Sequence, residues 1–151
     1  MRHEDRLDVS FVIGHSPVAK GRPRFGTVAG HARAFTPKKT RKFESYVRDC
    51  AAAAFEGMPP LDEPLQLDVL AVLQRPKRLM RKKDPRGLIW CDRRPDLDNL
   101  VKAVKDGMDC VWRDDACVVQ LTARKAYTEM LCKPRVEVRV RSLRGCACEA
   151  R

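Results

Sequence analysis

No other stretch constrains this chain as much as Pro95-Asp96-Leu97-Asp98-Asn99-Leu100, the run that follows it to Met108, and Trp112-Arg113-Asp114-Asp115 beyond. Its Asp96, Asp98, Asp114 and Asp115 fall within twenty positions of a protein whose formal net charge is +11. Asp96 and Asp98 are two apart, and in an extended segment that spacing points both carboxylates to one side. From about Asp98 to Met108 the pattern turns helical. Leu97, Val101, Val104 and Met108 make an apolar stripe, while Lys102, Lys105, Asp106 and Asp109 line the other side as an ordinary polar face. Asp98 and Lys102 are four apart and share a face. After Asp114 and Asp115 a strand begins, and strand ends are where a sheet offers residues to a shared site.

Converging carboxylates without histidine or thiolate are hard oxygen ligands, suited to Mg²⁺ or Mn²⁺. A divalent ion removes their mutual repulsion, activates a water and holds a phosphate. A neighbouring lysine adds fixed positive charge for a phosphoryl transition state. The plainer alternative is that Asp96 or Asp98 caps the helix and Asp114-Asp115 forms a turn. What lifts the pattern above that alternative is its position between two basic segments.

From Ser16 to Lys42 there are eight Lys/Arg and no acid; from Arg75 to Arg94 there are nine against Asp84 and Asp92. These stretches carry +8 and +7, so the rest of the chain sums to −4. Charge concentrated in this way is the footprint of a nucleic-acid partner, and exceeds what solubility needs. Two solvated loops are the alternative. The loop Ser16–Gly26 presents Lys20, Arg22 and Arg24, and its two prolines and two glycines exclude a regular element interior. Lys38 and Lys39 crowd the first turn of a helix, against its dipole, a placement that phosphate contacts would offset. Arg93, Arg94 and Lys125 are further candidates for DNA contact.

Val9, Phe11 and Ile13 alternate as a first half-buried strand, and Leu67, Val69, Ala71 and Leu73 as a second. Val119, Leu121 and Ala123 make a third and Val136, Val138 and Val140 a fourth, with Thr128 to Lys133 able to close the last two as an antiparallel hairpin. Thr36 as N-cap and Pro37 at the first helical position start a helix whose stripe is Phe43, Tyr46, Val47, Cys50, Ala54 and Phe55, ended by Gly57. Pro76, Pro85 and Gly87 break any periodicity between Arg75 and Arg94, which reads as a long mobile loop. The expected fold is α+β: a single compact two-layer domain over residues 1–145, with a mixed or antiparallel sheet of about four strands packed by two main helices. Residues 146–151 form a tail.

The 151 residues and an apolar fraction of 44% suit one domain with a core. No apolar run approaches the roughly 18 to 20 residues of a membrane span, and the first residues lack a signal-peptide core. Seven scattered cysteines fit reduced thiols, with Cys146 and Cys148 the only close pair. The expectation is a soluble, cytoplasmic protein.

Pro95-Asp96-Leu97-Asp98-Asn99-Leu100-Val101-Lys102-Ala103 and Trp112-Arg113-Asp114-Asp115-Ala116-Cys117-Val118-Val119 resemble the RusA family of Holliday junction resolvases. Gly14 to Arg24 and Thr36 to Thr40 are similar to one branch of it. The resemblance implies a homodimeric, Mg²⁺-dependent endonuclease that nicks four-way DNA junctions symmetrically. By position it makes Asp96, Asp98 and Asp115 metal-binding catalytic acids and Lys102 the catalytic lysine, with Asp114 a neighbour. The basic segment Arg75–Arg94 and the tail cysteines depart from the family pattern. A DNA-binding module with structural acids, or a nuclease acting on flaps or RNA, remain competing readings.

Overall fold

A computed structural model of the chain describes residues 6–143 and 145. In chain order the elements are β1 (Asp8–Ile13), β2 (Arg24–Val28), β3 (His31–Phe35), α1 (Lys38–Ala54), β4 (Leu65–Leu73), β5 (Ile89–Trp90), α2 (Leu97–Gly107), β6 (Val118–Tyr127) and β7 (Arg135–Ser142). Five strands form one mixed sheet in the order β1-β7-β4-β6-β5, and β2 pairs with β3 alone. The architecture is the expected α+β domain. Its extra strands are the two-residue β5, too short to show a period, and the separate hairpin.

Strand β4 explains the order. Its odd-numbered residues Leu65, Leu67, Val69 and Ala71 are buried, and so are Leu70 and Val72 on the opposite face. A strand this apolar belongs at the centre of a sheet, where neighbours on both sides satisfy its backbone. It pairs antiparallel with β7 and parallel with β6, the parallel connection being made through α2. The expected hairpin between the last two strands is therefore corrected: β4 lies between β6 and β7.

Register aligns Phe11, Val138, Val69 and Ala123 across four strands, with Val9, Val140, Leu67 and Leu121 in the next row. Both helices cover this face. Phe43, Val47 and Ala51 of α1 and Ala103 and Val104 of α2 join Ile13, Leu67, Val69 and the three valines of β7 in one core. Each of the larger side chains among them, fully buried, contributes roughly 1.5–3 kcal/mol. The cover stops short of β6, leaving Val119 61% and Leu121 49% exposed. The alternation predicted a buried face there; Leu121 and Ala123 instead line an open cleft shared with α2.

Helix α1 starts one residue later than predicted. Pro37 has an extended ψ of 143° and stands at the N-cap, with no side-chain cap from Thr36. Thr40, buried, instead accepts a bond from the Gly21 N–H and ties the preceding loop to the helix. Tyr46, expected in the stripe, is 41% exposed. The end of the basic loop is also corrected: Arg24 to Gly26 lie in β2, which turns through Ala29 (φ 51°) and Gly30 (φ 79°) into β3. Positive φ at both turn residues gives the twist a two-residue hairpin needs.

The segment 75–94 is built rather than loose. Arg75 is 2% exposed, and its guanidinium donates to the carbonyls of Thr128 (2.8 Å), Leu79 (3.3 Å), Pro85 (2.6 Å) and Gly87. A short 3-10 turn at Lys77–Leu79 and strand β5 complete it. Cys146 and Cys148 lie outside the described residues.

Candidate active site

The acidic stretch runs into α2, but the helix begins at Leu97, so Asp98 is helical and does not share with Asp96 the extended segment that their spacing predicted. Asp96 holds an extended conformation (φ −70°, ψ 140°) at the N-cap, and its side chain makes no capping bond. Asp98 sits in the first turn, where the helix dipole favours a carboxylate. The plainer reading of Asp96 as a capping residue thus fails on its side chain, whereas it holds for Asp114. That carboxylate accepts from the Ala116 N–H at 2.7 Å and caps the short turn Asp115–Cys117 that leads into β6. Asp115 accepts from the indole Nε1–H of Trp112 at 2.9 Å. Trp112 is 2% exposed, so a buried donor orients this carboxylate.

Asp98, Lys102 and Asp115 line one open cleft of about 690 Å³, together with Lys105 and Asp106. Leu97 and Val101 of α2 and Leu121 and Ala123 of β6 supply its apolar lining. Asp96 is exposed and is not among the lining residues. Among the described residues Asp98, Lys102 and Lys105 have no ion pair. Asp106 does: it meets the Lys20 ammonium at 2.7 Å, and Glu44 of α1 meets the same ammonium at 2.6 Å. Desolvation works against the charge of Lys20, but the two carboxylates outweigh it and hold its pKa above the ordinary lysine value. Asp106, expected on a plain solvated face, is therefore part of an ionic tie between the helices. With Asp106 neutralised, the cleft keeps two carboxylates and two lysines for a ligand.

The family model of endodeoxyribonuclease RusA matches residues 15–141. The chain belongs to the RusA family. It is also 34% identical over 143 residues to a protein of Bacillus subtilis (strain 168) named "Uncharacterized protein YqaN", an alignment covering 89% of this chain and 96% of that one. The RusA match spans both acidic blocks and both basic segments, so the motif resemblance and the whole-domain comparison agree.

In this RusA-family chain the cations expected on DNA fall into two groups. Arg22, Arg24, Lys38, Lys39, Arg93 and Arg94 are exposed. Arg93 lies 3.5 Å from the carboxylate of Asp92, both largely in solvent. Lys20 and Lys125 are engaged within the chain, Lys20 by its two carboxylates and Lys125 by the carbonyls of Arg93 (2.6 Å) and Pro95 (2.8 Å). Their spacing in the sequence gave no sign of this, because every partner is 24 or more positions away. Two features went unread. Trp90, 73% exposed on β5, shortly precedes Arg93 and Arg94 in the chain, and Phe25, 81% exposed, follows Arg24 in β2.

Proposed function

We propose that this protein is a Mg²⁺-dependent, structure-selective endodeoxyribonuclease that resolves four-way DNA junctions by paired symmetric nicks, acting as a homodimer. The observation that carries the reading is the meeting of Asp98, Asp115 and Lys102 in one cleft of a RusA-family chain. The donor set fits the ion. Its acids are carboxylates alone, with no histidine or cysteine in the lining. Among the described residues no three His, Cys, Asp or Glu side chains gather into a ready-made cluster. Mg²⁺ suits such a site, since it takes one or two carboxylates and fills its remaining positions with waters and substrate phosphate. Asp98 and Asp115, with Asp96 from the N-cap of the helix that carries Asp98, would hold it. When bound, the ion supplies a water of lowered pKa and a Lewis acid at the scissile phosphate. Mn²⁺ would serve the same donors.

The residues of the chain do the rest. Trp112 fixes the Asp115 carboxylate before substrate arrives, so no reorientation is needed during the reaction. Lys102, on the helix face of Asp98, stabilises the added negative charge of the phosphoryl transition state, and Lys105 reinforces the field. The apolar walls thin the water around these charges and strengthen their interaction with phosphate. Exposed Arg22, Arg24, Lys38, Lys39, Arg93 and Arg94 bind the backbone of the arms. Cutting two opposed strands symmetrically requires two such clefts related by a two-fold axis.

The test is a nicking assay on a synthetic mobile four-way junction, with flap and single-stranded DNA and RNA alongside. The wild type should nick the junction in two symmetric strands only with Mg²⁺ or Mn²⁺. Asp98→Asn should lose roughly 10²-fold or more in rate, the size of a metal-derived contribution of several kcal/mol, while still binding the junction. Nicking by Asp98→Asn at the wild-type rate would overturn the site assignment. Preference for flaps or RNA would move the substrate class.

A further inference from the structure

Lys125 reaches out of β6 toward the chain that leads into the acidic site. Its ammonium donates to the Arg93 carbonyl at 2.6 Å and the Pro95 carbonyl at 2.8 Å, and its own backbone carbonyl accepts from the Cys91 N–H at 3.3 Å. Three bonds from one residue therefore hold the segment 91–95. Asp96 follows at once as the N-cap of α2, and Asp98 stands in its first turn. The same strand is preceded directly by the turn that carries Asp115. One strand thus fixes both halves of the acidic site, Asp115 at its beginning and the Asp96–Asp98 turn through a side chain near its end.

We propose that Lys125 is a positioning residue for the acidic site: its ammonium grips the two carbonyls and sets where the Asp96 and Asp98 carboxylates stand relative to Asp115. The chemistry explains why a lysine is needed. Two carbonyls that face one point need a group with several donors and no acceptor, and the ammonium supplies three N–H bonds. A cation so occupied has little left for a phosphate, which separates it from the exposed arginines around it. Misplacing a reacting group by about 1 Å costs up to roughly 10²-fold in rate, so a loosened grip shows in turnover more than in DNA affinity.

This inference rests on the nuclease reading for its rate consequence, so the test includes a measurement that needs neither DNA nor metal. Lys125→Met, Lys125→Gln and Lys125→Arg are compared with wild type in three experiments. Amide hydrogen exchange across residues 92–100 of the free protein should speed up in Lys125→Met, with β4 and β7 unchanged, and should be restored in Lys125→Arg. Single-turnover nicking of the junction should fall roughly 10- to 100-fold in Lys125→Met, with KM nearly unchanged and partial recovery in Lys125→Arg. The salt dependence of junction binding should keep its wild-type slope. A slope reduced by about 0.9, the share of one phosphate contact, with an unchanged nicking rate would make Lys125 a DNA contact and overturn the proposal. Unchanged exchange in 92–100 would overturn it as well. If Lys125→Met fails to fold, Lys125→Gln carries the same comparison with a donor but no charge. If the wild type nicks no junction, the function reading fails while the exchange experiment still decides the grip.

Discussion

Arg75 carries a full charge to the interior and is made tolerable there by the four carbonyls it binds. Removing it leaves those carbonyls facing a cavity, so Arg75→Met should lower the unfolding free energy by about 3 kcal/mol, measured by urea denaturation with an unchanged m-value. The same substitution should expose the peptide bonds of 76–87 to protease. Nothing in the sequence separates Arg75 from the eight other cations of its segment, because its role is fixed by carbonyls on Thr128 and on its own loop. The acidic residues are more legible. The four-residue spacing of Asp98 and Lys102 is local and survives folding, whereas the helix start at Leu97 takes Asp98 out of the extended segment that its two-residue spacing to Asp96 assumed. Asp114 and Asp115, told apart in the sequence only by the family resemblance, are separated in the structure by their partners: one binds the Ala116 N–H and the other the Trp112 indole.

Helix α2 approaches α1 closely because Gly107 has no side chain. A Cβ placed there would lie 2.6 Å from the Val47 Cβ and 2.9 Å from the Glu44 carbonyl oxygen. Gly107→Ala should therefore destabilise by about 1–3 kcal/mol, despite the better helix propensity of alanine, and thermal denaturation measures it. Since Glu44 also holds Lys20, the variant should disturb the tie to Asp106. The connection between β6 and β7 offers a test by pH. Arg135 binds both carboxylate oxygens of Glu129 at 2.9 Å and holds the Glu129 pKa down to about 2, from an ordinary 4.5. A depressed carboxylate stabilises the fold above its unfolded pKa and ceases to do so as pH falls through its folded one. The stability difference between wild type and Glu129→Gln should be full at pH 7 and should vanish as pH drops from about 4.5 to about 2. Both side chains are partly solvated, so the difference is small.

Among the described residues Arg22, Arg24, Lys38, Lys39, Arg93 and Arg94 stay exposed, while the cleft brings three carboxylates together with two lysines. If the exposed set binds phosphates, junction affinity should fall steeply with salt, and neutralising Arg22 and Arg24 together should reduce the log–log slope by about 1.8, from about 0.9 per contact. An unchanged slope would remove the first basic loop from the DNA surface. The sequence alone determined the strands with a period of two, the two helical stripes, the α+β class and the spacing of the acids, since each depends on neighbours within one turn or one pleat. Tertiary structure decided what no local spacing contains. The two-sided burial of β4 places it between β6 and β7. The limited reach of α2 leaves the apolar face of β6 open as a cleft. Which of the candidate cations are engaged within the chain was decided by partners far along it, Glu44 and Asp106 for Lys20 and the Arg93 and Pro95 carbonyls for Lys125. A charge is free or bound according to what folding brings within about 3 Å of it, and that distance is written in the packing rather than in the order of residues.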